Sequence, residues 1–283
     1  MPHFKIQEDR DKQKIIDLYN KNYSYRQIAQ EFNVHLDTIF KWVNKWGIKT
    51  KSLSERHQTI SFDKEYFKEI NTEEKAYFLG FIAADGCVCK NAVSLCLHRQ
   101  DEHILKKLKK ELKSGHALMI DREKYRKFSI CNIEFAESLR QKGIMDRKTF
   151  LIKFPSEDIV PKELLVHYMR GYFDGDGCIS FSKNKKGIRK ILWKTQITSN
   201  FDFLSKYSEV LNEMLGNVSK SKLRREKRRQ SPIFYYEIGG TSPITLQKIY
   251  NLLYKDATIF LTRKKEKFET IIRIFNEPFH PTV

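Results

Sequence analysis

Two stretches of the sequence share one design: AYFLGFIAADGCV at 76–88 and VHYMRGYFDGDGCI at 166–179. Each predicts an apolar, aromatic helix with a glycine in its middle and small residues near its end, followed by Asp-Gly-Cys and a strand. The two Asp-Gly pairs lie 91 positions apart. The chain therefore contains an internal repeat, and the repeated helix is the element around which each copy is built.

The segments after each of these helices also match. VSLCLHRQDEHILKKLKKEL (93–112) and WKTQITSNFDFLSKYSEVLNEML (193–215) both predict a strand running into an amphipathic helix. Each is followed by a predicted β-hairpin and a further helix. Both repeats therefore read helix, two strands, helix, two strands, helix, an αββαββα unit, and the predicted fold class is α+β.

The glycines inside the repeated helices need a physical reason, because glycine costs a helix interior about 1 kcal/mol relative to alanine. Close packing supplies that reason. One face of each helix carries small residues, Gly80 and Ala84 in the first and Gly171 and Gly175 in the second. On these faces the two helices can lie nearly backbone to backbone. We expect these helices to form the interface between the repeats.

Each repeated helix ends in a carboxylate, Asp85 or Asp176. Gly86 and Gly177 follow, and we expect them to be left-handed helix terminators. A carboxylate is unfavourable at the negative end of a helix, and two carboxylates brought together also repel each other. A divalent cation would relieve both effects. A single Asp-Gly pair is more typical of a plain turn, but two matching copies favour a functional site.

The stretches FLGFIAADG (78–86) and MRGYFDGDG (169–177) resemble the two motifs of a LAGLIDADG homing endonuclease in its single-chain form. The resemblance covers roughly residues 72–275. It implies that Asp85 and Asp176 are the catalytic carboxylates and bind Mg²⁺, with Mn²⁺ as a substitute. The earlier acidic position of the motif is Ala83 in the first copy and Asp174 in the second, where a structural role is implied.

The resemblance also implies a monomer in which two curved antiparallel sheets form a saddle over double-stranded DNA. Such an enzyme makes a metal-dependent double-strand break with short 3′ overhangs in a long asymmetric target. The family places a lysine late in each repeat, near the metals. By position, Lys148 and Lys264 are the candidates, and Arg147, Arg263 and Lys265 are the alternatives if the register differs by one.

The charge of the chain favours a polyanionic partner. Its 283 residues carry 53 Lys and Arg against 35 Asp and Glu, a net charge of +18. Basic side chains displace counterions from phosphate backbones, so nucleic acid is the first partner to consider. No apolar stretch predicts a membrane span or a signal peptide, so we expect an intracellular protein in the compartment that holds its target DNA.

Three short helices predicted in residues 1–48 resemble a helix-turn-helix, which would add DNA contacts outside the cleaved core. Ser24 is the expected cap of the second helix, and the third helix would face the major groove. An ordinary three-helix bundle is the alternative. The basic segment after it would follow the phosphate backbone or act as a plain tether. The predicted contacts of this region are His35, Thr38, Lys41, Asn44, Lys45, Lys49 and Lys51.

Strand alternation assigns further DNA contacts to the repeats. Val93, Leu95 and Leu97 would face the core, as would Trp193, Thr195 and Ile197, so their neighbours face outward. The densest basic run lies on the second hairpin of the second repeat and would clamp phosphates and a groove. The predicted contacts are His98, Arg99, Lys194, Gln196, Thr198, Lys220, Lys222, Arg224, Arg225, Arg228 and Arg229.

The predicted organisation has four parts: a helix-turn-helix domain (1–48), a basic linker (49–71) and two repeats (72–160 and 161–283). Two other functions remain open. The chain resembles bacterial regulators that join a LAGLIDADG fold to a helix-turn-helix and bind DNA without cutting it, although those carry the helix-turn-helix C-terminally. An intron maturase would use the same basic saddle on intron RNA. An intein is disfavoured, since splice-junction residues are missing, and a transposase would need a third spaced carboxylate.

Overall fold

The chain divides into two units, residues 1–60 and 61–283, in the computed structural model. The structure describes residues 8–20, 23–48, 60–146, 151–183, 191–216, 221–226 and 233–277. Each unit has a hydrophobic core of its own. Across the described ranges, no helix has both the length and the apolar character that a membrane span requires.

In its described residues, 8–20, 23–48 and 60, the first unit contains three short helices: α1 (Glu8–Asn20), α2 (Tyr25–Glu31) and α3 (Leu36–Lys45). Ser24 caps α2 as expected, in a capping box with Gln27. The tight turn between α2 and α3 contains Asn33, whose φ is 49°. The core of the first unit is formed by Ile15, Tyr19, Ile28, Ala29, Ile39 and Val43.

The second unit contains the two predicted repeats. The first repeat comprises α4 (Glu73–Asp85), β1 (Cys87–Cys89), β2 (Ala92–His98), α5 (Glu102–Glu111), β3 (Met119–Asp121), β4 (Tyr125–Cys131) and α6 (Ile133–Gln141). The second comprises α7 (Leu165–Asp176), β5 (Gly177–Lys183), β6 (Ile191–Ser199), α8 (Phe201–Met214), β7 (Ser221–Arg225), β8 (Phe234–Gly240) and α9 (Pro243–Tyr250). A π-helical turn (Asn251–Lys255) and α10 (Thr262–Asn276) follow.

Each repeat builds one four-stranded antiparallel sheet, with strand orders β1-β2-β4-β3 and β5-β6-β8-β7. The two orders are the same once the second set is renumbered, so the repeats share one topology. In both central strands the expected alternation holds, since the six residues assigned to the core are buried. The α+β class and the paired αββαββα architecture are confirmed.

The helices α4 and α7 pack against each other at their glycines. A Cβ atom added to Gly80 would overlap the carbonyl oxygen of Tyr168, and one added to Gly171 would overlap that of Tyr77. Tyr77 and Tyr168 are themselves 91 positions apart, so the two contacts are related by the repeat. Near the helix ends, a Cβ atom added to Gly175 would overlap the side-chain Cβ of Ala84. The two backbones therefore touch at Gly80 and Gly171, and the methyl group of Ala84 packs on Gly175 near the helix ends.

The predicted left-handed conformation of Gly86 and Gly177 is wrong. Their φ values are −72° and −81°, in the extended region that any residue can adopt. Glycine is needed here for space, because an added Cβ would overlap the carbonyl oxygen of Ile82 at the first position and of Phe173 at the second. Because Gly86 and Gly177 have no side chain, the backbone can pass close to the last turn of each helix as it enters the following strand.

Replacing Gly171 by alanine should destabilise the second unit. The added methyl group meets backbone atoms of α4, which cannot rotate away, so we expect a loss of about 1–3 kcal/mol that outweighs the gain in helix propensity of about 1 kcal/mol. Chemical denaturation would measure the change. Gly240→Ala is the matched control, because its nearest neighbouring atom would lie 4.0 Å away. Equal stability of both variants and the parent would contradict backbone contact at Gly171.

Candidate functional site

Asp85 and Asp176 occupy the last positions of α4 and α7, and both are exposed. A Cβ atom added to Gly175, the residue before Asp176, would lie 3.4 Å from the backbone nitrogen of Asp85. The packing of the helices therefore places the two aspartates beside each other at one end of the interface. Two carboxylates and two negative helix ends make this region attractive to a cation.

The donor chemistry of this pair fits magnesium. In the part of the chain that the structure describes, no group of three or more His, Cys, Asp or Glu side chains could hold a metal ion. Magnesium does not require such a cage, because it commonly binds one or two carboxylates and completes its shell with water and phosphate oxygens. Asp85 and Asp176 would be the residues that hold the ion.

The side chain of Lys264 is buried beneath this pair. It lies in the first turn of α10, and its Nζ donates hydrogen bonds to the carbonyl oxygens of Phe173 (2.6 Å), Asp174 (2.5 Å) and Gly175 (3.3 Å). These are C-terminal carbonyls of α7, so the cation sits at the negative end of that helix. Burial lowers the pKa of Lys264 to about 8, while the carboxylates of Asp174, Asp85 and Asp176 oppose this shift.

The neighbours of Lys264 make different contacts. Arg263 donates through Nε to both carboxylate oxygens of Asp101, each at 3.0 Å. The Nζ atom of Lys265 lies 4.2 Å from the centre of the Phe260 ring. Of the three basic residues considered for this position, Lys264 is the one directed at the end of α7. Its proposed counterpart Lys148, and Arg147, lie outside the described residues.

Asp174 is fully buried, with none of its surface exposed. Its carboxylate accepts hydrogen bonds from the hydroxyl groups of Tyr77 (2.8 Å) and Tyr254 (2.6 Å) and from the backbone N–H of Leu261 (2.7 Å). Burial raises the pKa of this carboxyl group, although Lys264 and the three donors favour its charged form. These partners are 80 to 97 positions away in the sequence, so no local pattern could have identified them.

The open face of the second sheet carries most of the predicted contacts of that repeat. Lys194, Gln196 and Thr198 point away from the buried side of β6. In register with them lie Glu237 and Tyr235 of β8, and then Lys222 and Arg224 of β7. Arg225 pairs with Phe234 and alternates onto the other face, where it is exposed at the sheet edge. The Nζ atom of Lys194 lies 3.4 Å from the Glu237 carboxylate.

The open face of the first sheet presents Ser94, Cys96 and His98 of β2, with Arg99 exposed just after the strand. The strand register adds two residues that the sequence analysis missed, since Lys127 pairs with Cys96 and Tyr125 with His98. The sequence predicts the hairpin around 119–131 but not the register of its strands. The strand register is the signal that could have identified Lys127 and Tyr125, because it decides which strand residues share a face.

In the first unit, the exposed side of α3 carries Lys41, Asn44 and Lys45, and Thr38 lies half-buried at its margin. His35 caps the helix, its Nδ1 accepting from the Asp37 N–H at 3.3 Å. Phe40, which was missed, is also on this exposed side, with 51% of its surface accessible. The sequence does not reveal this exposure, because the packing of α2 against α3 decides which aromatic residues of α3 are buried. The predicted contacts Lys49, Lys51, Lys220, Arg228 and Arg229 lie outside the described residues.

Changing Lys264 to methionine should alter how stability depends on pH. Between the folded pKa of about 8 and the ordinary value of 10.5, the unfolded chain holds a proton that the folded protein has lost. The free energy of unfolding of the parent should therefore rise with pH through this window relative to Lys264→Met, by up to roughly 3 kcal/mol. Urea denaturation at several pH values would measure this. Parallel pH curves would contradict a depressed pKa.

Comparisons with known proteins agree with this architecture. A family model described as a homeodomain-like domain matches residues 7–49. The LAGLIDADG homing endonuclease I-SmaMI bound to cleaved DNA has a similar structure, with a TM-score of 0.51 and 17% identity, covering 74% of this chain and 91% of that chain. The structure of meganuclease I-SmaMI bound to uncleavable DNA with a TTGT central four has a TM-score of 0.50 and 16% sequence identity. The match covers 74% of this chain and 91% of that chain.

A sequence relative is a protein of Methanocaldococcus jannaschii named "Probable translation initiation factor IF-2". It is 27% identical over 187 residues, which cover 57% of this chain. The match spans 15% of that protein's length, so the name of the whole protein says nothing about the matched segment. At these identities the structural neighbours establish the fold: the second unit has the LAGLIDADG endonuclease fold, and a homeodomain-like unit precedes it.

Proposed function

We propose that this chain is a site-specific homing endonuclease that makes a metal-dependent double-strand break, with short 3′ overhangs, in a long asymmetric DNA target. One observation carries the proposal. The glycine contacts of α4 and α7 bring two exposed carboxylates, Asp85 and Asp176, together at one end of the helix pair. A packed helix pair needs no acidic residue at that place, whereas metal-dependent hydrolysis of a phosphodiester uses carboxylates that hold the ion.

Asp85 and Asp176 would hold Mg²⁺, with Mn²⁺ as a substitute. When bound, the ions would lower the pKa of water for attack on the phosphodiester and stabilise the leaving 3′ oxygen. The carboxylates would determine where the cations lie, and one scissile phosphate in each DNA strand would be cleaved there. Lys264 would place a buried cation near the same phosphates and stabilise the charge that develops on them.

The two open sheet faces support an asymmetric target. The face of the second sheet combines cationic and amide side chains, Lys194, Gln196, Lys222 and Arg224, which suit phosphates and purine edges. The first sheet presents a different set of residues at the matching positions, including His98 and Lys127. Since both faces belong to one chain, the protein would act as a monomer on a site without twofold symmetry.

The homeodomain-like unit would bind DNA beyond the cleaved core. The exposed side of α3 carries a lysine and an amide, Lys41 and Asn44, which are typical of a helix that enters the major groove. This unit would lengthen the recognised site. The protein would act in the compartment that holds its target DNA.

Cleavage should require divalent metal and both aspartates. We would incubate the purified protein with a fragmented-genome or randomised-site library, with Mg²⁺ or with EDTA, and sequence the DNA ends. We expect ends with a fixed 3′ overhang at one long asymmetric sequence, absent with EDTA and in Asp85→Asn and Asp176→Asn. Asp202→Asn, exposed on α8, the helix that packs on the buried side of the second sheet, is the control and should still cut.

Two results would overturn the proposed cleavage. If no ends form while the library yields a tightly retained duplex, the protein is a DNA-binding regulator. If no ends form and structured intron RNA is retained in preference to every duplex, the maturase function replaces cleavage, and faster splicing of that RNA would identify it.

Within the homeodomain-like unit, Asn44→Ala should relax base preference at positions outside the cleaved core, by about 1–3 kcal/mol for one base pair. Lys41→Ala should weaken binding evenly across sequences and make it less dependent on salt. Gln13→Ala, exposed on α1, is the control. Competition binding on a panel of target variants would measure all three. Unchanged base preference in Asn44→Ala would contradict groove recognition by α3.

A further inference from the structure

The segment between α9 and α10 is tied to the central helix pair by buried polar groups. Arg170 of α7 is 1% exposed and donates hydrogen bonds to the carbonyl oxygens of Ile259 (2.9 Å) and Leu253 (3.2 Å). It also donates to Oε1 of Glu73 at 2.6 Å, and that carboxylate accepts from the backbone N–H of Thr258 at 2.8 Å. The backbone of residues 253–259 is therefore held by both helices.

Asp174 anchors the end of the same segment. Its Oδ1 accepts from the hydroxyl of Tyr254, and its Oδ2 accepts from the backbone N–H of Leu261 and from the hydroxyl of Tyr77 of α4. Leu261 immediately precedes α10, and Lys264 lies in the first turn of that helix. The position of Lys264 is thus set by two attachments, its own bonds to the α7 carbonyls and the bond from Leu261 to Asp174.

This network is absent from the sequence of the other half. At the 91-residue offset, the counterpart of Glu73 is Leu164, that of Arg170 is Leu79, and that of Asp174 is Ala83. Each charged member is therefore replaced by an aliphatic residue that cannot form these hydrogen bonds. The surrounding contacts of the helix pair are symmetric, as Gly80 and Gly171 show, so the difference is confined to the polar groups.

We propose that Asp174 is a positioning residue that fixes Lys264, and that this one-sided anchor makes cleavage of the two DNA strands unequal. The inference rests on the proposed endonuclease function. Only the half-site that uses Lys264 has its cation held by the Asp174 network, and that half-site depends on the network for its rate. A displacement of about 1 Å in a group that stabilises transferring phosphate is enough to slow the reaction many-fold.

The test compares cleavage rates of the two strands on a target duplex in which each strand carries its own end label. Asp174→Ala, which copies the residue of the first repeat, should slow one strand at least 10-fold and leave the other within about 3-fold, so nicked duplex accumulates. Lys264→Met should slow the same strand. Asp174→Asn, which can keep accepting from Leu261, and Tyr254→Phe, which loses one donor, should slow that strand less.

Leu105→Ala is the control for lost stability, because Leu105 is a buried core residue of α5 in the first repeat. It should lower both strand rates together or neither. Equal slowing of both strands by Asp174→Ala, or slowing of opposite strands by Asp174→Ala and Lys264→Met, would overturn the proposed positioning role. Absence of any cleavage by the parent protein would instead refute the endonuclease function, so the two failures are distinguishable.

Discussion

The structure of the second unit depends on one contact, the touching backbones of α4 and α7 at Gly80 and Gly171. Interiors are packed closely enough that one added methyl group at such a contact must move a helix. Because the helices touch, their C-terminal ends adjoin, and a strand leaves each end to start its own sheet. One packing constraint thus determines both where the sheets lie and where Asp85 and Asp176 meet.

Much of this could be predicted because the constraint leaves visible marks in the sequence. Close backbone contact requires glycine, and the internal repeat presents this glycine pattern twice. Strand alternation assigns residues such as Leu95 and Trp193 to the core. The conformation of Gly86 and Gly177 could not be predicted, because a left-handed terminator and an extended residue with no room for a side chain have the same sequence context. Arg225 was grouped with Arg224, although adjacent strand residues face opposite ways once the register is known.

The polar network around Asp174 could not be predicted, since its members come from α4, α7 and the segment before α10 and meet only in the folded chain. A fused pair of repeats allows such divergence, because each position can change without its counterpart. The core and the helix contact are alike in the two repeats, whereas Glu73, Arg170 and Asp174 have no charged counterpart. A buried carboxylate with three donors is costly to remove and specifies one geometry, which suits the placement of a cation near reacting groups.

In the proposed function, the adjoining helix ends form a metal site on DNA. The most direct measurement is Mn²⁺ titration of the protein bound to its target duplex, with free Mn²⁺ followed by electron paramagnetic resonance. We expect Mn²⁺ sites in the parent complex that are lost when Asp85→Asn and Asp176→Asn are combined, while the duplex stays bound. Equal Mn²⁺ binding by the parent and the double variant would exclude a metal site at these helix ends.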